Sequence, residues 1–236
     1  MSNGTKVVKR NGRKEPLDLN KLHVMVEEAC KDLAGVSASQ VEMKSGIQFF
    51  DGITTAEIQE ILIRSASDLI DLDHPNYQFV AARLLLFATR KQLYGRMHET
   101  PTVRKHVEEC VERGVYDAEI LDLYTEEEFE KLQAMIDHHR DYLFTYAGLR
   151  QVVDKYLVQD RSSGTLYETP QFMYLLIAAT IFSKYPKETR LDYVKKYYDA
   201  ISRHKINIPT PIMAGCLLYT SPSPRDLSTS RMPSSA

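Results

Sequence analysis

Apolar residues recur along most of the chain at helical spacing. Leu22, Met25, Val26, Ala29, Cys30 and Leu33 recur at three- and four-residue spacings, which sets them on one helix face. Asp18 or Asn20 stands where a cap is needed. Residues 37–48 read as a short helix that stops near Asp51-Gly52. Thr54 and Glu57 have capping-box spacing, and Ile58, Ile61, Leu62, Ala66 and Leu69 supply the apolar face behind them. Pro75 opens a helix to about Leu93 that is apolar nearly all round, so it is expected to be central, with Gly95 as its stop.

Further helices are predicted near 117–122, 125–136 and 145–157, and one around Val103, Val107, Cys110 and Val111. Arg161 to Gly164 reads as a turn. Thr169-Pro170 starts a strongly apolar helix as cap and first position. Glu188 to Ser202 is the last amphipathic helix. Ile206 to Met213 is expected to be extended, because a residue before proline is pushed out of the helical region. The helical pattern is broken at the start. Val7 to Arg10 and Lys14 to Leu17 flank Asn11-Gly12, which predicts a hairpin closed by a two-residue turn. The fold class is therefore mainly α with an N-terminal β-hairpin. No internal repeat is visible.

Composition narrows this. With 236 residues, 43% apolar, 26% charged and a net charge of −2, the chain is one large domain or two small ones. It is neither a disordered tail nor a strongly cationic nucleic-acid binder. Three cysteines without a CxxC argue against a disulfide framework or a zinc site and for a reducing, cytoplasmic setting. No secretory leader is visible, and the longest apolar run, Phe172 to Phe182, falls short of the ~20 residues that span a bilayer. No membrane or nucleic-acid partner is expected.

Three places could carry chemistry. Lys6, Lys9, Arg10, Arg13 and Lys14 put five cations in nine residues with no acid among them. They suit a polyphosphate, or form a solvated basic turn. Arg83, Phe87 and Lys91 share a helix face, as part of a nucleotide pocket or as a core ring with snorkelling cations. Asp137 to Asp141 holds two adjacent histidines, which point to different sides of a helix; a solvated loop is the simpler reading, and no metal is expected.

The stretches VVKRNGRKEPLDLNKLH, FFDGITTAEIQEILIRSASDLI and YQFVAARLLLFATRKQLYG together resemble the ATP-cone of class Ia ribonucleotide reductase large subunits. YTEEEFEKLQAMIDHHRD, KYLVQDRSSGTLYETPQFMYLLIAATIF and INIPTPIMAG resemble the helical domain that follows it in that family. The resemblance implies an ATP-cone over 5–95 and the helical domain over 96–215, cut where the catalytic α/β barrel would begin. It implies a subunit of the enzyme that reduces ribonucleoside diphosphates, regulated by ATP or dATP at the cone, with Mg2+ accompanying the nucleotide. The matching positions are Lys9, Glu15, Pro16, Leu17, Asp18, Leu19, Asn20, Lys21, Thr55 and Lys91, with Phe87 and Leu17 lining the base. Gln59 stands where close relatives have His. Thr210 matches a position that contacts substrate. The family's catalytic residues all lie beyond PTPIM, so none is expected in this chain, and the chain alone is expected to be inactive. A radical-bearing small subunit, thioredoxin or glutaredoxin, and homodimerisation are implied for the full-length protein.

The last 21 residues, Cys216 to Ala236, hold six Ser and three Pro and depart from the family pattern. Cys216 to Asp226 can be encoded by a string resembling a transposase-type sequencing adapter. Ser230 to Ala236 can be encoded by one resembling its flow-cell end, with Leu227 to Thr229 covering an index. These residues are expected to be translated adapter; a disordered Ser/Pro linker is the other reading. The alternatives for the whole are a stand-alone ATP-cone nucleotide sensor, a cone-bearing repressor, against which the lack of a CxxC zinc ribbon speaks, and a purely structural helical module.

Overall fold

A computed structural model describes residues 5–160 and 162–215. The expectation for 216–236 lies outside the described residues. The chain divides into two compact units. One comprises the residues up to Thr100 together with Asp137–Leu157, and the other Pro101–Ile136 together with the residues from Val158 onward.

In the first unit, β1 (Lys6–Val8) pairs antiparallel with β2 (Lys14–Pro16). The turn differs from the expected two-residue form. Lys9 N–H donates to Arg13 C=O and Gly12 N–H to Lys9 C=O, both at 2.8 Å, so Arg10, Asn11 and Gly12 form a three-residue loop. Only Gly12 takes a positive φ, 79°. Asn11 avoids it because its side-chain oxygen accepts Arg13 N–H at 3.1 Å, which fixes the loop in another way.

The free edge of β1 is occupied as well. Val8 N–H donates to Ile53 C=O at 2.9 Å, Gly52 N–H to Lys6 C=O at 2.8 Å, and Lys6 N–H to the Asp51 carboxylate at 2.7 Å. These bonds fasten the hairpin to the segment that opens α3.

Four helices follow: α1 (Leu19–Cys30), α2 (Ala38–Gly46), α3 (Thr55–Ser67) and α4 (Tyr77–Tyr94). Asp18 caps α1 by accepting Lys21 N–H, Thr54 and Glu57 form the predicted capping box, and Gly95 ends α4 at φ 74°. As its pattern required, α4 is the core helix: Val80, Ala81, Leu86 and Phe87 are all buried. Arg83 donates to the carbonyls of Ala29 and Lys31 at 3.2 and 2.6 Å, closing the end of α1. Cys30, expected to pack in the core, is half-buried, and burial pushes its thiol up to about 11.

The first unit is completed from later in the chain. A 3-10 helix (His138–Leu143) and α8 (Tyr146–Lys155) pack on α4. The stretch Asp137 to Asp141 is therefore not the solvated loop expected. Asp141 is buried, 3.0 Å from the Arg90 guanidinium, which also donates to His138 C=O at 3.0 Å. A buried arginine on α4 draws this segment inward, a demand that local sequence does not reveal.

The second unit contains α5 (Val103–Glu112), α6 (Glu119–Leu123) and α7 (Glu126–Met135). After a small antiparallel pair, β3 (Gln159–Asp160) with β4 (Thr165–Leu166), come α9 (Pro170–Phe182), α10 (Lys187–Ser202) and α11 (Thr210–Gly215). α9 is buried over its first ten residues and packs against α10. Arg190 of α10 holds Glu128 of α7 at 2.7 and 2.5 Å and donates to the carbonyls of Leu123 and Ser183. The expected extended run 206–213 stops at Pro209. Thr210 begins a helix because Pro211 falls in its first turn, where a missing N–H costs nothing. Among the described residues no sheet exceeds two strands, and no helix is long and apolar enough to cross a membrane.

Candidate functional site

A cleft of about 1130 Å³ opens in the first unit, at or above the ~300–1,000 Å³ usual for small-molecule sites. One wall is the hairpin with Lys9, Arg10, Asn11, Glu15 and Pro16. Leu17, Asp18 and the first turn of α1 form the second. Thr55, Ile58 and Gln59 of α3, with Lys91 and Gly95 at the end of α4, close it.

Two helices thus begin at the cleft. The amides of a first helical turn lack partners within the helix and carry the positive end of its dipole. In α3 the Thr54 hydroxyl satisfies Glu57 N–H at 3.1 Å, which leaves Thr55 and Ala56 N–H without an acceptor inside the helix. The anchoring of β1 to residues 51–53 is what brings the basic hairpin against this end of α3.

Four cations, Lys9, Arg10, Lys21 and Lys91, line the cleft against two carboxylates, Glu15 and Asp18. Lys9 Nζ lies 3.4 Å from Glu15, and Lys21 Nζ 3.3 Å from Asp18. The Lys21 backbone amide holds the Asp18 carboxyl below its ordinary range. Among the described residues no carboxylate pairs with Lys91, whose Nζ lies 3.4 Å from Met25 Sδ. Burial, then the charges of Arg10 and Lys9, push its pKa down. An anion entering here would relieve the repulsion among these cations.

Of the expected residues, Lys9, Glu15 to Lys21, Thr55 and Lys91 all line this one cleft. Phe87 does not reach it. The ring is fully buried, 6.2 Å from His98 and 6.3 Å from Tyr142 between centroids. Thr210 is exposed at the start of α11 in the other unit. A smaller cavity of about 410 Å³ in that unit is lined by Tyr174, His204, Asn207 and Met213 among others, without Thr210. Arg10, one of the five hairpin cations and itself in the turn loop, and Met25, on the apolar face of α1, also line the cleft, although neither is among the positions matched to the family. No cluster of potential metal ligands occurs among the described residues.

A hairpin and four helices thus surround a cationic cleft onto which two helix N-termini open, an arrangement suited to an anionic ligand. Residues 5–92 match the family described as the ATP cone domain, and residues 142–218 match the ribonucleotide reductase, all-alpha domain. The chain is 50% identical over 215 residues to ribonucleoside-diphosphate reductase 1 subunit alpha of Escherichia coli, covering 91% of this chain and 28% of that protein. The subunit alpha of Haemophilus influenzae is equally similar, and that of phage T4 is 40% identical over 212 residues, 89% of this chain and 28% of its own length. The chain belongs to the ribonucleotide reductase alpha-subunit family and spans somewhat over a quarter of the length of these relatives.

Proposed function

We propose that the cleft binds ATP and dATP as effectors and that the chain is the activity-regulating portion of a ribonucleoside-diphosphate reductase alpha subunit. The observation that carries this reading is the convergence of two helix N-termini and four cations on one cleft. Lys9, Lys91 and the free amides at Thr55 hold the phosphates, and Mg2+ would accompany the nucleotide as part of its charge. Pro16 and Leu17 offer apolar surface to the base. Asp18, Asn20 and Gln59 supply hydrogen-bond partners to base and sugar. ATP and dATP differ by one hydroxyl, which limits discrimination to ~1–3 kcal/mol. Regulation therefore acts on a finely balanced equilibrium.

In the full-length protein the reading includes a radical-bearing small subunit, a thioredoxin- or glutaredoxin-type reductant, homodimerisation and a cytoplasmic setting, with Thr210 contributing to a substrate site. Calorimetric titration of the 236-residue chain with MgATP and MgdATP tests the effector site. Saturable binding, weakened about tenfold or more by Lys9→Ala or Lys91→Ala, is expected; a flat titration overturns it. The purified chain mixed with a small subunit is expected to form no dCDP.

A further inference from the structure

Arg10 is one of the four cleft cations, and its present contacts are to the protein itself. From the tip of the hairpin its guanidinium donates to the backbone carbonyl of Lys91 on α4 and, at 3.4 Å, to the side-chain oxygen of Gln59 on α3. Both of those residues line the cleft. Their chain neighbours do something else. Arg90, next to Lys91, is buried and pairs with Asp141 at 3.0 Å. Glu60, next to Gln59, pairs with Arg150 of α8 at 3.1 Å. The same arrangement occurs twice: a cleft-lining residue touches Arg10, and the adjacent residue grips the segment Asp137–Leu157.

That segment packs with the first unit, yet its chain continues at both ends into the second, through Ile136 and Val158. Of the three points at which the chain passes between the units, two lie at the ends of this segment and the third is Thr100–Pro101. A polyphosphate offers the Arg10 fork a charged acceptor in place of a carbonyl and an amide, a stronger bond than either. Once Arg10 turns to it, the last turn of α4 and the second turn of α3 lose the tie that joins them across the cleft. In each helix the residue released is one peptide from an ion pair to the 137–157 segment. The Arg90 pair is the stiffer of the two, because its charges are buried and Asp141 has little freedom to follow. The Glu60 pair is half-exposed and serves as a weaker second tether.

We propose that Arg10 is the positioning residue that senses effector occupancy, and that the Arg90–Asp141 and Glu60–Arg150 pairs pass its movement to the segment 137–157. This inference rests on the effector reading of the cleft and specifies its outlet.

Hydrogen–deuterium exchange on the full 236-residue chain, with and without saturating MgATP, tests it alongside a binding isotherm. Wild-type chain is expected to show about a fivefold or larger change in exchange rate at amides of 137–157, besides changes at the hairpin. The double variant Asp141→Asn, Arg150→Gln should bind MgATP within about fivefold of wild type, keep the hairpin response and lose the response at 137–157. Arg10→Lys, which keeps the charge but not the fork, should leave 137–157 unresponsive even at MgATP concentrations that its own isotherm shows to be saturating. Should Asp141→Asn unfold, Arg150→Gln and Arg10→Lys still decide the matter, since neither touches a buried pair. Binding with a hairpin response but none at 137–157 in wild type overturns the relay alone, as does a double variant or Arg10→Lys that retains the full response. A silent isotherm overturns the effector reading and the relay with it.

Discussion

Glu168 offers a quantitative test of the second unit. Its carboxyl is fully buried just before α9, accepting Tyr116 O–H at 2.6 Å and Val158 N–H at 2.8 Å. The Tyr116 oxygen is 3.1 Å from His106 Nε2, whose ring stacks on Phe172 at 4.0 Å. Burial outweighs both hydrogen bonds and pushes Glu168 from 4.5 up to about 7. The folded state therefore binds more protons than the unfolded state between those values. Stability is full below pH 4.5 and declines as pH rises through 7. At 1.36 kcal/mol per pKa unit, the shift amounts to about 3 kcal/mol lost across that window.

Glu168→Gln isolates the effect. The amide keeps a carbonyl for Val158 N–H and, with the Tyr116 hydroxyl turned to His106 Nε2, donates to the Tyr116 oxygen as the protonated acid would, and it does not titrate. Urea unfolding followed by far-UV circular dichroism at pH 5, 6, 7 and 8 gives the difference between variant and wild type, which cancels groups common to both. The variant should exceed wild type by less than about 1 kcal/mol at pH 5 and by about 3 kcal/mol at pH 8. A difference that is flat with pH would refute the buried-proton argument, even if the variant were uniformly less stable.

Other outcomes follow from single sites. A bound polyphosphate should raise the depressed Lys91 pKa back toward its ordinary 10.5, so MgATP binding at alkaline pH takes up protons. Calorimetry in buffers of different ionisation enthalpy measures this, and Lys91→Arg should abolish it. Glu128→Ala leaves the Arg190 guanidinium buried without its carboxylate and should cost ~3–5 kcal/mol in urea unfolding. Gly114 and His204 both occupy the left-handed position after a helix, at φ 68° and 54°, in the same hydrogen-bonding motif. Gly114→Ala should lower stability by ~1 kcal/mol and His204→Gly should raise it by a similar amount, read from thermal unfolding.

The helices and the cleft differ in how far local sequence foretold them. Capping residues such as Thr54 and Glu57 mark helix starts because they act within four residues. Positions 15–21 and 55 are legible only through family resemblance, whereas Lys9 and Lys91 also stand out as cations on the hairpin and on a helix face, and the geometry gathers all of them. Residues whose placement depends on distant partners were misread. Asp141 is drawn inward by Arg90, fifty-one positions earlier. Phe87 shares the Lys91 face of α4, but the 3-10 helix carrying Tyr142 covers it. Asn11-Gly12 has the composition of a two-residue turn, and one side-chain hydrogen bond to Arg13 selects the longer loop. At Thr210, the rule for residues before proline yielded to the ease of proline in a first helical turn.

The interleaving of the two units sets an order of events during synthesis. By the time Gly95 is made, every hairpin and helix residue around the cleft exists, but α8 and the 3-10 helix, which cover α4, do not. At ~5–20 residues per second the ribosome needs about 3–12 s to reach Leu157. For that interval the nascent cone holds the apolar flank of its central helix bare. A polypeptide cut at Thr100 would hold it bare permanently, so the smallest portion expected to fold soundly extends beyond the cone to Leu157.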